Sequence, residues 1–149
     1  MKSFKLMGLK LNRKTRNENG QSEKDCGGLW QNFETNKIAT LIPDKVSDEV
    51  YAVYYDYESD ENGLFSYFIG CKVGENIEKS ENLDEIIIPD QNYHKETAKG
   101  QMTDCLADAW KRIWSSNINR KFGFDFEIYD ERSRNWNNAE IDIFLSIND

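Results

Sequence analysis

The sequence is poor in the residues that build metal sites and disulfide frameworks. Its 149 residues include one histidine, His94, and three cysteines, none of them in a C-x-x-C pair. Transition-metal sites need clusters of such side chains, so we expect no metal and no cofactor. An odd number of scattered cysteines also argues against a disulfide framework, and free thiols fit a reducing cytoplasm. We interpret His94 as an ordinary strand residue rather than half of a cysteine–histidine pair.

Basic charge and long apolar runs are also scarce. The formal net charge is −8 and the sequence pI is about 4.8, the opposite of a nucleic-acid-binding protein. The N-terminal segment is interrupted by Lys5 and Lys10, so it lacks the apolar core of a signal peptide. No stretch approaches the length that spans a bilayer, and no glycine-rich phosphate loop is present. We therefore expect a cytoplasmic protein that binds neither a membrane nor, directly, nucleic acid.

What the sequence does contain is an internal repeat. Only two prolines and no low-complexity tract interrupt it, which favours a single domain over residues 1–149. An offset of 80 positions relates five pairs of residues, which include Gly20 and Gly100, Trp30 and Trp110, and Ile38 and Ile118. Similar aromatic helices could arise by chance, but the order of elements repeats as well.

Each half is predicted as a strand, a helix and two strands, over residues 3–75 and 84–148. The first helix is predicted from Cys26 to about Asn36, and the second carries an apolar stripe and begins at Thr103 as N-cap. Residues 85–98 are predicted as one strand kinked at Pro89. The expected fold is α+β, with two βαββ repeats about a pseudo-twofold axis, antiparallel sheets and a central ligand cleft.

Residues 121–133, KFGFDFEIYDERS, alternate aromatic and acidic side chains. A strand there has two faces, Phe124, Phe126 and Ile128 on one and Asp125, Glu127 and Tyr129 on the other. We expect the apolar face to pack on the helices.

The acidic face then lies at the seam between the halves, opposite the tyrosine-rich segment VYAVYYDY over residues 50–57. A carboxylate buried among rings is costly without a partner, so Glu127 would take up a proton or recruit a cation. A solvent-exposed Glu127 on an open sheet is equally compatible with the pattern.

Four segments in order carry a family resemblance: GQSEKDCGGLWQNF, VYAVYYDYESDENGLFSYFIGCKV, TAKGQMTDCLADAWKRIWSSN and FDFEIYDE. Together they resemble the GyrI-like effector-binding domains, the ligand-sensing domains of AraC-type and multidrug-responsive regulators. The resemblance is greatest to the freestanding, integron-associated type and runs from about Phe4 to Ile147. It implies the same repeated fold, with lipophilic and often cationic ligands held in an aromatic cleft.

The resemblance also implies site residues. The family's acidic cleft residue maps to Glu127, and its aromatic positions map to Tyr54 and Tyr67, with Trp110 as a further candidate. Tyr129, on the same strand face as Glu127, completes the predicted ligand-binding set.

We therefore expect an effector-binding protein that captures or senses a lipophilic cation and is linked to transcription regulation or drug response. No helix-turn-helix segment accompanies the domain, so we expect a separate DNA-binding regulator as partner, and a monomer or weak dimer. The alternative is a hydrolase of electrophilic compounds, with Glu127 as general base assisted by Tyr54 or Tyr67. A gyrase-inhibitor-like role ranks last, because the acidic charges are dispersed rather than striped.

Overall fold

The computed structural model of the chain describes residues 2–78 and 81–148. The first part contains strand β1 (Phe4–Lys10), helices α1 (Gln21–Thr35) and α2 (Ile38–Leu41), and strands β2 (Val50–Tyr55) and β3 (Ser66–Val73). The second contains β4 (Asp84–Ile88), β5 (Asn92–Gly100), α3 (Met102–Trp114), β6 (Asp125–Tyr129), a 3₁₀ turn (Glu131–Ser133) and β7 (Ala139–Ile147). The fold is α+β, as predicted.

All seven strands form one antiparallel sheet in the order β4-β1-β3-β2-β6-β7-β5. The predicted halves meet twice, where β2 pairs with β6 and where β1 pairs with β4, and we call the β2–β6 junction the seam. The twofold relation between the halves stays a prediction. So does the single domain over 1–149, since residues 1, 79–80 and 149 lie outside the described residues.

The prediction of one kinked strand over residues 85–98 is wrong. Pro89 has no backbone N–H to donate, and the chain leaves the sheet between β4 and β5. β4 then pairs with β1 at one edge of the sheet, and β5 pairs with β7 at the other edge. The second half therefore has one strand more than the predicted βαββ unit.

This short connection requires a curled sheet. Six strand spacings would separate the edges of a flat sheet by about 29 Å, whereas the step from Ile88 to Asn92 spans at most about 15 Å. The concave face encloses an aromatic core, where the ring centroids of Phe4 in β1 and Phe126 in β6 lie 5.8 Å apart. Where β1 meets β3, Gly8 lies opposite Gly70, and a Cβ on Gly8 would collide with the Ile69 carbonyl.

The helices cover the opposite face, and this corrects the predicted orientation of β6. Phe126 belongs to the helix-free core, whereas Glu127 faces the helix layer and is bonded to Trp110 of α3. The aromatic face thus fills the concave side of the curled sheet.

The helix ends also differ from prediction. α1 begins at Gln21, five positions before Cys26, and α3 has Gln101 rather than Thr103 at its N-cap. No helix within 2–78 and 81–148 has the length and apolar character to cross a membrane.

Candidate ligand-binding site

The site is built on the seam between the predicted halves. In the β2–β6 register Ala52 lies opposite Glu127 and Tyr54 lies opposite Asp125, so Tyr54 is a diagonal neighbour of Glu127 on the same face. Tyr67 pairs with Tyr54 on the next strand. Because the side chain of Ala52 is small, there is room beside the carboxylate for larger side chains from neighbouring positions.

Three aromatic side chains fill that space and bind the carboxylate. Glu127 Oε2 accepts hydrogen bonds from the Tyr54 hydroxyl at 2.8 Å and from Trp110 Nε1 at 2.7 Å. Glu127 Oε1 accepts one from the Tyr129 hydroxyl at 2.7 Å. The Glu127 side chain is 0% exposed. The interpretation of Glu127 as a solvent-exposed surface residue is therefore excluded.

Burial dominates the electrostatics here. It raises the pKa of Glu127 above the usual 4.5, while the three hydrogen bonds act in the opposite direction. It also raises the pKa values of Tyr54 and Tyr129, and the negative charge of Glu127 raises them further. The three donors are neutral, and within the described residues no lysine, arginine or histidine forms an ion pair with Glu127.

Two further rings complete what we call the aromatic cluster: Trp30, Tyr54, Tyr67, Trp110 and Tyr129. Trp30 Nε1 donates to the Tyr67 hydroxyl at 2.8 Å. The Tyr54 ring lies 5.0 Å from that of Tyr67 and 5.1 Å from that of Trp110, and Trp30 lies 4.8 Å from Tyr129. The cluster joins α1 and α3 over the seam.

Two cavities adjoin the aromatic cluster. The larger, of about 650 Å³, is lined by Trp30 and Tyr129 together with Trp136, and we call it the Trp136 cavity. The smaller, of about 260 Å³, is lined by Tyr54 and Trp110 together with Arg120, and we call it the Arg120 cavity. Glu127 is hydrogen-bonded to side chains that line each cavity, so its carboxylate lies between them.

A second buried carboxylate lies two residues away on the same face. Asp125, also 0% exposed, accepts hydrogen bonds from Arg120 Nη2 at 2.8 Å and from the Tyr57 hydroxyl at 2.7 Å through Oδ2. Its Oδ1 accepts from the backbone N–H and the hydroxyl of Ser146. Asp125 therefore has a cationic partner, whereas Glu127 has none among the described residues.

The structure brings the five predicted residues, Glu127, Tyr54, Tyr67, Trp110 and Tyr129, into one cluster, while their role in ligand binding stays a prediction. Sequence reasoning missed Trp30, although the repeat relates it to Trp110 and both indoles donate to the cluster. It also missed Arg120, because an arginine five positions before Asp125 does not by itself indicate a buried ion pair.

The histidine and the half-buried cysteine of the chain do not form a catalytic pair. His94 is on edge strand β5 with Nε2 2.8 Å from Glu96. Burial raises the pKa of the Cys26 thiol, which keeps it protonated. No group of three or more potential metal ligands occurs in the described part of the chain.

With this geometry established, the chain can be compared with known proteins. A family model described as integron-associated effector binding protein matches residues 1–147, so the chain belongs to that family. It is 24% identical to the putative transcriptional regulator YobU of Bacillus subtilis over 129 residues, 84% of this chain and 81% of YobU. It is 29% identical to the transcriptional regulator BrlR of Pseudomonas aeruginosa over 130 residues, 81% of this chain. The match spans 46% of BrlR, less than half of its length.

Two solved structures share the fold. An integron cassette protein from the mobile metagenome of Vibrio cholerae has a TM-score of 0.73 at 22% identity, covering 99% of this chain and 92% of its own. SAV2435, solved bound to tetraphenylphosphonium, has a TM-score of 0.74 at 18% identity, covering 99% and 90%. These likenesses concern the fold.

Proposed function

We propose that this member of the integron-associated effector binding family captures or senses a lipophilic cation, with Glu127 as the countercharge. One observation carries the proposal: Glu127 is fully buried, yet the hydrogen bonds it receives within the described residues come from uncharged tyrosine and tryptophan side chains. Asp125, equally buried on the same strand, is paired with an arginine. Of the two carboxylates, Glu127 is therefore the one without a positively charged partner among the described residues.

The physical basis is the cost of an unpaired buried charge. Taking a carboxylate out of water costs several kcal/mol unless a partner compensates, and neutral donors compensate in part. A cation beside the aromatic cluster would also contact electron-rich ring faces, for about 0.5–2 kcal/mol each. A lipophilic cation loses little hydration free energy on binding, so its attraction to the carboxylate and to the ring faces is largely retained.

The Trp136 cavity suits such a ligand better than the Arg120 cavity. Its aromatic lining comes from Trp30, Tyr129 and Trp136. Its charged lining is three acids and one base: Glu34, Asp48, Asp130 and Arg134.

The comparisons support this assignment from outside the chain. The family is one of effector-binding proteins, relatives are named transcriptional regulators, and SAV2435 was solved with a phosphonium cation. The net charge of −8 favours a protein that does not itself bind DNA. We include in the proposal a cytoplasmic location, a monomer or weak dimer, and a separate DNA-binding regulator that reads the ligand-bound state.

The test is equilibrium dialysis of two probes of the same shape and opposite charge, tetraphenylphosphonium and tetraphenylborate. The cation should bind at least tenfold more tightly, which corresponds to about 1.4 kcal/mol. Equal affinity, or preference for the anion, would contradict the proposal.

Two neighbouring glycines on α1 locate the site. Gly27 lines the Trp136 cavity, and a Cβ added at either Gly27 or Gly28 meets no neighbour within 4 Å. Gly27→Leu should weaken cation binding by obstructing the cavity, whereas Gly28→Leu, the matched control, should leave it unchanged. If the two changes altered cation affinity equally, the cation would not bind in the Trp136 cavity.

Hydrolysis of a reactive electrophile is the second candidate. One observation favours it, the raised pKa of a Glu127 that is hydrogen-bonded to Tyr54. The Tyr67 hydroxyl is bonded to Trp30 and not to Glu127, so Tyr54 would be the assisting group. Turnover of alkylating compounds by the wild type that disappears in Glu127→Gln would establish catalysis, and binding without turnover would dismiss it.

A further inference from the structure

We propose that the Arg120 cavity is a second binding site, for a neutral planar aromatic compound whose carbonyl oxygen accepts a hydrogen bond from Arg120. The Arg120 side chain is 6% exposed and lines the cavity. Its Nη2 donates to Asp125. Its Nε and Nη1 are buried and have no acceptor within the described residues.

Asp125 cannot meet the remaining demand. Its two oxygens already accept from Arg120, Tyr57 and the two donors of Ser146. A carboxylate offers about four acceptor positions, and these four donors occupy them. Because buried donors are almost always satisfied in proteins, the three N–H bonds on Nε and Nη1 of Arg120 are an unmet requirement at the cavity wall.

The guanidinium is also held in place before any ligand arrives. It lies 4.3 Å from the ring centroid of Phe122 and 5.8 Å from that of Trp110. Such stacking fixes the plane of the five donors, so an acceptor meets a preorganised partner. Both nitrogens are inaccessible in this conformation, so the proposal requires the cavity wall beside Arg120 to shift when the ligand binds.

The shape and lining of the cavity define the rest of the ligand. Its volume is about 260 Å³, and its walls include the rings of Tyr57, Phe65 and Trp114 together with the Leu106 side chain. Ring faces favour a flat aromatic body of two or three fused rings.

Charge favours a neutral carbonyl over a carboxylate. Asp125 already balances the charge of Arg120. The other charged lining residues are Glu23, Glu61 and Lys111, which leave one net negative charge. A ligand carboxylate would add to it, close to the buried Glu127, whereas a ketone or amide oxygen satisfies the donors without adding charge.

This second site stands independently of the cation site. It depends on Arg120 and the smaller cavity, whereas cation binding depends on Glu127 and the larger one. If tetraphenylphosphonium does not bind, the proposal for the Arg120 cavity is unaffected. If the naphthalene ketone does not bind, the proposal for the cation site is unaffected.

The experiment compares three naphthalene probes by equilibrium dialysis against the full chain: 2-acetylnaphthalene, 2-ethylnaphthalene and 2-naphthoate. The first two differ by the carbonyl oxygen, and the third replaces the ketone with a carboxylate. We expect 2-acetylnaphthalene to bind about tenfold more tightly than the other two. Equal binding of the ketone and the ethyl compound would overturn the proposal, and tighter binding of 2-naphthoate would overturn the neutral ligand class.

Arg120→Lys retains a positive charge for Asp125 and removes the planar donors. It should erase the preference for the ketone while leaving the affinity for 2-ethylnaphthalene unchanged. Lys111→Met, at the same cavity, is the matched control and should keep the preference. A preference that survives in Arg120→Lys would refute the role of Arg120.

Ala107→Phe tests the site without changing the buried Arg120–Asp125 ion pair. Ala107 is an exposed residue of α3 that lines the cavity, so a phenyl ring there should obstruct entry of both naphthalenes. Thr103→Phe, exposed on the same helix and outside the lining, should leave binding unchanged. If Arg120→Lys does not fold, unaltered binding in Ala107→Phe still overturns the proposal.

Discussion

Replacing Glu127 with glutamine removes one charge and almost no volume from the aromatic cluster. The amide oxygen can still accept from Tyr54 and Trp110, and the amide nitrogen can donate to the Tyr129 oxygen once that hydroxyl turns. The hydrogen bonds that hold the cluster are therefore retained, and a change in ligand affinity reports the charge.

The expected magnitude follows from the position of the carboxylate. A single layer of rings separates Glu127 from the Trp136 cavity, because Tyr129 both lines that cavity and donates to the carboxylate. A cation on the far side of a ring layer lies about 8 Å from the charge, where an effective dielectric of about 20 gives about 2 kcal/mol. Glu127→Gln should therefore weaken tetraphenylphosphonium binding about thirtyfold.

The assay is isothermal titration of wild type and variant with tetraphenylphosphonium and tetraphenylborate. The borate has the same shape and the opposite charge, so its affinity should rise in the variant while that of the phosphonium falls. Glu75→Gln removes one charge at an exposed turn after β3 and should change neither by more than about twofold.

Two results would refute the reasoning. Unchanged phosphonium affinity in a folded Glu127→Gln variant would remove the carboxylate from ligand binding. Equal weakening of phosphonium and borate would show that the variant has lost the cavity rather than the charge.

Three further predictions concern the stability of the fold and are tested by urea unfolding. Burial raises the pKa of Glu127, so the folded protein binds this proton more tightly than the unfolded chain does. The stability of wild type relative to Glu127→Gln should therefore fall as the pH rises above 4.5, and a pH-independent difference would contradict this. Arg120→Ala leaves Asp125 buried without its cation and should lower the free energy of unfolding by about 3–5 kcal/mol, so a loss below about 1 kcal/mol would argue against the ion pair. Gly8→Ala forces a Cβ against the β3 backbone and should prevent or severely weaken folding, whereas Gly28→Ala, in open space within α1, should stabilise by about 0.5–1 kcal/mol; the reverse order would contradict the packing of β1 on β3.

The sequence predicted the elements better than their arrangement. Local patterns determine strands and helices, and the α+β composition of the fold followed from them. The face of β6 was predicted wrongly because alternation shows that two faces differ, while which face meets the helices depends on how the sheet curls. That curl depends on the break at Pro89, which sends β4 and β5 to opposite edges.

The same limit applies to the site. The strand pattern left a buried and an exposed Glu127 equally possible, and the family resemblance made it the candidate ligand-binding residue. Arg120 was not identifiable, since a lone arginine before Lys121 looks like any surface base until the fold places it 2.8 Å from Asp125. The two residues are only five positions apart, but their spacing does not show that both side chains are buried.

The two buried carboxylates of β6, Asp125 and Glu127, differ in their hydrogen-bond partners. Both are inaccessible to water, and they lie two positions apart on one strand face, so the protein could supply a permanent cation to either. Within residues 2–78 and 81–148 it supplies Arg120 to Asp125, whereas the donors to Glu127 are neutral, and this difference is the basis of the proposed cation site. Trp110 connects them, since its Nε1 donates to Glu127 and its ring lies 5.8 Å from the Arg120 guanidinium. A ligand that moves the Trp110 ring in either cavity therefore changes the surroundings of the other charge, and the reciprocity of linkage requires the two affinities to shift by the same factor.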